Sequence, residues 1–266
     1  MSRPLCSVVV CAYNRAALFA RSVECFNRSR FPLDRLEFVL VDDQSEEQLL
    51  PVFNRLDSRI QTRYVRLRKE PGLWRDVGNI LNVGIRIAEG ANICCTHPEV
   101  MFGRDTLTAF CDNCKGWTYS CAKPYYLKPV ETDLIDTVPW KEEGPLAVRK
   151  LPTFYDTVPG GNPDYEAAAI EKSPDWRSWV VGGHSRETWK KLGGFLVTQQ
   201  WGTCDVLYSD RRRYLGIEDK CAMDPETYCV HQWHPAPRDI NKTHAELQSL
   251  HHTFPGFAYP EIDYLW

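Results

Sequence analysis

The run RLEFVLVDDQSEE (residues 35–47) passes in one step from a largely apolar segment to two adjacent carboxylates, Asp42 and Asp43. It is too apolar to alternate, which predicts a strand covered on both faces, as in a parallel sheet. LCSVVVCA (residues 5–12) reads the same way. Between the two, Phe19, Val23 and Phe26 fall at helical spacing, with Asn14 placed to cap that helix. Downstream, RIQTRYVRL (residues 59–67) predicts a third strand. Val77, Ile80, Leu81, Gly84, Ile85 and Ala88 then form a helical stripe, with Gly90 as its C-cap, before the short buried strand ANICCT (residues 91–96). Strands alternating with helices predict an α/β fold, a mostly parallel sheet with helices on both faces. Ligands of such sheets bind beyond the carboxyl ends of the strands. Asp42, Asp43 and the segment His97-Pro98-Glu99 all lie at such ends and are expected to be neighbours.

A chain of 266 residues buries roughly 70–75% of its extended surface on folding and needs no staple. Its 32 basic and 35 acidic residues give a net charge of −3, which argues against a general affinity for nucleic acid or an anionic membrane. Arg211-Arg212-Arg213 reads as a solvated helix face. No signal segment opens the sequence and no apolar run approaches membrane-spanning length, so no membrane partner and a cytoplasmic location are expected. Eleven cysteines without a secretory signal predict reduced thiols. Cys111 and Cys114 form a CxxC with Cys121 seven residues on. They share a helical stripe with Leu107 and Phe110, however, which favours buried thiols over zinc.

Residues 123–179 are rich in Pro, Tyr, Trp, Gly and charge and show little periodicity, as expected of an insert carrying acceptor loops or a lid. Order resumes with WVVGGHSRETWKKLGGF (residues 179–195), where Ser185 and Gly193 are placed to cap a short helix. A further helix carries Leu207, Arg211, Tyr214 and Leu215, and ETYCVHQWHP (residues 226–235) is strand-like. His244, His251 and His252 have no partner at defined spacing and read as surface residues.

Taken together, SVVVCAYNR, FVLVDDQSEE, ILNVGIRIAEG and VVGGHSRETWKKLGGF…WGTCD resemble nucleotide-sugar glycosyltransferases of the GT-A fold. The first three are similar to family 2 glycosyltransferases, and the last resembles the galactosyltransferase C-terminal motif that ends in W-G-x-E-D. The resemblance covers about residues 6–112 and 180–240. It implies one GT-A domain: a nucleotide-sugar half (1–122), an insert (123–179) and an acceptor and catalytic half (180–266).

The resemblance also implies roles. Ala12, Tyr13 and Arg15 would line the nucleotide pocket, and Asp42 or Asp43 would accept hydrogen bonds from base and ribose. Arg75 would contact the diphosphate, unless it forms a surface ion pair. Gly183, after Gly182, would let backbone approach the donor sugar, or would make a turn. Trp201 and Gly202 would meet the acceptor. Asp205 would act as general base, its bland alternative being a carboxylate at a helix start. The Glu that precedes the family's base is Cys204 here, which leaves the acceptor open among glycan, protein, small molecule and modified DNA base.

Where the family carries Asp-x-Asp, this chain has His97 and Glu99. Glu99 can supply an oxygen ligand and His97 a nitrogen, and related enzymes add a histidine beyond the W-G-x-E-D helix. His231 and His234 are the candidates; along one strand they face opposite sides, so one ligand is expected, His231 first. A His/Glu shell favours Mn²⁺ over Mg²⁺. The functional expectation is an inverting, metal-dependent transferase using a UDP-sugar. The alternative is a nucleotide- or glycan-binding module of this fold that has lost its metal. A nucleotidyltransferase is disfavoured because CAYNRAAL (residues 11–18) lacks a Gly-rich phosphate loop.

Overall fold

A computed structural model describes residues 3–68, 77–154, 181–195, 204–222 and 228–235. The strands are β1 (Cys6–Ala12), β2 (Leu36–Asp42), β3 (Gln61–Arg66), β4 (Asn92–Thr96), β5 (Val100–Phe102), β6 (Thr118–Tyr126), β7 (Val181–Ser185), β8 (Glu218–Ala222) and β9 (Tyr228–His231). The helices are α1 (Ala16–Asn27), α2 (Leu50–Phe53), α3 (Val77–Ile87), α4 (Thr106–Asn113), α5 (Pro129–Leu134), α6 (Trp140–Glu143), α7 (Arg186–Leu192) and α8 (Cys204–Tyr214). The sheet order is β3-β2-β1-β4-β7-β6-β9-β5, with β8 added against β6. β3, β2, β1 and β4 run parallel, whereas β7 is antiparallel to both β4 and β6. The fold is α/β with a mostly parallel sheet, as expected.

The continuous apolar strands have a direct cause. Val8, Val10, Phe38 and Leu40 point to one face, where Phe19, Phe26 and Phe110 cover them. Val9, Val39 and Val41 point to the other, under Leu81, Ile85, Trp189 and Tyr208. Every residue of β1 and β2 is therefore buried, which a one-sided sheet would not require. A third core, around Met101, Ile135, Trp140, Val148 and Tyr228, lies under α5 and α6.

Several local expectations are corrected. Asn14 does not cap α1: its Oδ1 accepts from the N–H groups of Glu46 (2.8 Å) and Glu47 (3.2 Å). Arg15 holds the N-cap position in the left-handed region (φ 72°). Gly90 is not a left-handed C-cap. A Cβ there would strike the Cys6–Ser7 backbone, and the end of α3 is covered by Arg186, which donates to the carbonyls of Ala88 and Gly90. Arg212 is not a solvated charge; it is buried with its guanidinium 3.8 Å from the Tyr119 ring centroid. β6 continues past residue 122, and residues 129–150 form short helices, α5 starting at Pro129 and α6 running from the N-cap Pro139 to Gly144 at φ 97°. Ser185 does cap α7, accepting from Thr188 N–H (3.2 Å), and Gly193 closes it at φ 74°. The ten cysteines described are free thiols, and Cys114 packs in the core with Cys111 against it. His244, His251, His252 and residues 155–180 lie outside the described residues.

Candidate functional site

The site lies where the β4–β5 turn meets the end of β9. β5 pairs antiparallel with β9, setting Val100 opposite His231 and bringing Glu99 beside it. The turn is held from below: Ser22 Oγ donates to the Pro98 carbonyl (2.7 Å), and Gln232 donates to the Glu99 carbonyl through its backbone N (3.1 Å) and Nε2 (2.9 Å). Gln232 is itself fixed by Arg21 and the Leu18 carbonyl. Sequence reasoning missed this buried glutamine; its place between the two histidines of HQWH was the only signal.

Glu99 is buried, 2% exposed. Three donors converge on its Oε1: Arg15 Nη1 at 2.9 Å, His234 Nε2 at 3.2 Å and His231 Nε2 at 3.5 Å. Oε2 is buried with no hydrogen-bond partner. Burial alone would raise the carboxyl pKa. The hydrogen bonds from His231 and His234, with the neighbouring His97 and Arg15, instead hold it well below the ordinary range, so Glu99 is ionised. Glu99, His231 and His234 offer ligand atoms within 4.8 Å of one another, the one such group among the described residues. A carboxylate oxygen and two imidazole nitrogens suit a divalent transition ion, and the unpartnered Oε2 is the group such an ion would satisfy.

The expectation that only one of the two histidines could reach the site is corrected. β9 ends at His231, so strand alternation does not extend to His234, and both rings turn toward Glu99, their centroids 5.3 Å apart. His97 falls outside this group, its Nδ1 lying 3.5 Å from Cys11 Sγ. Burial lowers the His97 pKa to about 4, with Glu99 pulling the other way, and the ring is neutral at pH 7.

At the carboxyl end of β2, Asp42 is fully buried and both of its carboxylate oxygens are engaged within the fold. It accepts from Ser45 N–H (2.7 Å) and from the Tyr64 hydroxyl (2.6 Å), with Arg66 at 3.8 Å. Burial, then this hydrogen bond, pushes the Tyr64 pKa up to about 12. Asp43 is 3% exposed at the strand end. Ala12 closes β1 as a buried residue and Tyr13 is half exposed beyond it. Gly183 lies mid-strand in β7, where a Cβ would strike the Ile93 carbonyl, so close packing on β4 accounts for the glycine. Asp205 lies in the first turn of α8, its side chain outside the described residues, as are Arg75, Trp201 and Gly202.

The fold is that of the GT-A glycosyltransferases. The chain is similar to the mannosyltransferase PcManGT from Pyrobaculum calidifontis in complex with GDP-Man and Mn²⁺ (TM-score 0.59, 20% identity, 92% of this chain and 60% of that one). It is also similar to S. aureus TarS 1–349 in complex with UDP-GlcNAc (TM-score 0.61, 17% identity, 87% and 59%). Residues 7–107 match the family model of glycosyl transferase family 2. The chain is also similar to a hyaluronan synthase of Pasteurella multocida, 28% identical over 85 residues, which are 31% of this chain and 8% of that protein. The chain thus spans about 60% of the length of the solved chain first named. No helix among the described residues is long and apolar enough to cross a membrane.

Proposed function

We propose that the protein is a glycosyltransferase that moves a sugar from a UDP-sugar to an acceptor hydroxyl with inversion at the anomeric carbon. The observation that carries this reading is the convergence of Glu99, His231 and His234 at the carboxyl edge of a GT-A sheet, with one Glu99 oxygen buried and unpartnered. These three residues would hold a divalent ion, Mn²⁺ in preference to Mg²⁺ because two of the donors are imidazoles. When bound, such an ion supplies positive charge that stabilises a departing diphosphate. The likeness to a transferase solved with Mn²⁺ supports this choice.

The remaining roles fall to the chain's own groups. Asp43 accepts hydrogen bonds from the nucleoside, Ala12 and Tyr13 line its pocket, and Arg75 meets the diphosphate. Asp205 takes the acceptor proton as the acceptor oxygen bonds to the anomeric carbon and the bond to the diphosphate breaks, releasing UDP. Residues 1–122 form the donor half, and residues 180–266 the acceptor half, with Trp201 and Gly202 at the acceptor. Thermal unfolding with UDP, with and without Mn²⁺, followed by UDP release from a panel of UDP-sugars and GDP-mannose, tests the reading. Ligand at about 100 times Kd adds roughly 2.7 kcal/mol, a midpoint shift of about 2–4 °C at this size. Metal-dependent stabilisation with hydrolysis is expected. Stabilisation without hydrolysis of any donor would make the protein a nucleotide-binding module, and release from GDP-mannose alone would replace the donor.

A further inference from the structure

The cation seat at Glu99 already contains a cation belonging to the chain. Arg15 donates from Nη1 to Glu99 Oε1 (2.9 Å), and its Nη2 lies 3.1 Å from His234 Nδ1. Its backbone is clamped to make this reach. Asn14 and Arg15 are both left-handed (φ 59° and 72°), a conformation that costs non-glycine residues free energy. The turn is held by Asn14 N–H on Ser45 Oγ (2.7 Å), Asn14 Oδ1 on the loop 46–47, and Ala16 N–H on Glu47 Oε2 (2.6 Å). Ser45 is in turn held by Asp42.

The arginine also bears on the tautomer of His234, whose Nδ1 lies between two opposed neighbours, Arg15 Nη2 at 3.1 Å and the Pro235 carbonyl at 3.0 Å. A guanidinium only donates, so Nδ1 must carry the lone pair when it meets Arg15, and the neutral ring then bears its proton on Nε2, facing Glu99. In that tautomer neither nitrogen is available to a metal. The Pro235 carbonyl, 3.0 Å from Nδ1, only accepts, so it bonds this nitrogen in the opposite tautomer alone. If Arg15 leaves, Nδ1–H can donate to that carbonyl and Nε2 presents its lone pair toward Glu99, the usual way a ligating imidazole is oriented. The exchange gives one proton to solvent from Nε2 and takes one back on Nδ1.

We infer that Arg15 is a displaceable occupant of the metal seat: guanidinium and divalent ion exclude each other, and His234 changes tautomer between the two states. This rests on the metal site of the proposed function. A metal entering alone must break both Arg15 contacts. A nucleoside diphosphate entering with it offers the displaced guanidinium a bidentate anionic partner. Metal and nucleotide therefore help each other bind through Arg15 beyond their direct contact, reciprocally.

The test is Mn²⁺ titration of the full chain by electron paramagnetic resonance, with and without UDP, for wild type and Arg15→Asn. Asparagine tolerates the left-handed backbone, and the thermal midpoint checks the fold. The variant is expected to bind Mn²⁺ about tenfold more tightly than wild type without UDP, and UDP should raise its Mn²⁺ affinity by a correspondingly smaller factor. Equal affinities without UDP, in proteins that both bind Mn²⁺, overturn this inference and leave the metal site standing. No binding by either protein, with or without UDP, overturns the metal site as well. Independently of any variant, the long-range ¹H–¹⁵N spectrum of ligand-free wild type should show His234 protonated on Nε2; protonation on Nδ1 overturns the inference.

Discussion

Glu37, in β2, and Glu99, in the β4–β5 turn, are both buried glutamates, each paired with an arginine, yet they are built for different ends. Glu37, in β2 near the amino edge, spends both oxygens. Oε1 accepts from Arg63 (2.6 Å), and Oε2 accepts from Ser7 Oγ and Glu89 N–H. Glu99, near the carboxyl edge, crowds Arg15, His231 and His234 onto Oε1 and leaves Oε2 with nothing. A buried polar atom without a partner forfeits the hydrogen bonds it made to water. The chain satisfies one such carboxylate completely and leaves the other half-used; on the proposed function the first belongs to a scaffold edge and the second to a receptor edge.

Removing the scaffold carboxylate should have the largest effect. Glu37→Ala takes one partner each from Arg63 and Ser7, which keep Glu89 and the Gly90 N–H, and leaves the Glu89 N–H unpaired; it should cost about 3–5 kcal/mol in denaturant unfolding. Glu99→Gln keeps the shape and one acceptor oxygen, and by the worth of a weakened charge-assisted hydrogen bond should cost only about 1–2 kcal/mol in the same measurement. Its loss should instead appear in turnover, a drop of about 10²–10³-fold in the proposed metal-dependent sugar transfer. Equal stability costs for the two substitutions would erase the distinction between the edges.

The histidines sharpen the receptor side. His231→Ala and His234→Ala should each weaken Mn²⁺ binding by about tenfold or more, read by titration. If one of them binds Mn²⁺ like wild type, the shell is smaller than three residues.

Much of the scaffold was legible in the residues and much of the receptor was not, for a physical reason. Two-sided burial leaves an apolar run in β1, β2 and β4, and the stripe from Val77 to Ala88 follows from one helix face on the sheet. These signals are local. Asp42 and Asp43 were placed correctly at a strand end, but which one serves the fold depends on Tyr64, 22 positions away in the chain. The Arg15–Glu99 contact spans 84 positions and needs a left-handed turn with no glycine to announce it. His231 and His234 converge because the chain leaves the strand between them, and alternation, the available rule, gives the opposite answer. Arg212 failed likewise: a triple-arginine run carries no mark of the tyrosine face that receives its middle member.

The smallest expected effect is read by acid at the Glu99 edge. The folded Glu99 carboxyl titrates well below 4.5, whereas the unfolded chain takes up that proton near the ordinary value. Between the two, the unfolded state binds more protons, so stability rises with pH. The contribution of Glu99 is complete above about 4.5 and is lost as pH falls through the folded value, with a slope approaching about 1.4 kcal/mol per pH unit. A second loss comes from His97, whose folded pKa of about 4 lies below its unfolded value near 6.5 and removes stability as pH falls between them. Wild type should therefore weaken in two stages on acidification, and Glu99→Gln should flatten the lower one. Denaturant midpoints measured every half unit from pH 7 to 3 resolve the stages. A wild-type curve parallel to that of Glu99→Gln below pH 4.5 would mean that the ionised carboxylate gains nothing from His231, His234 and Arg15, and the receptor edge would lose the charge that gives it an affinity for cations.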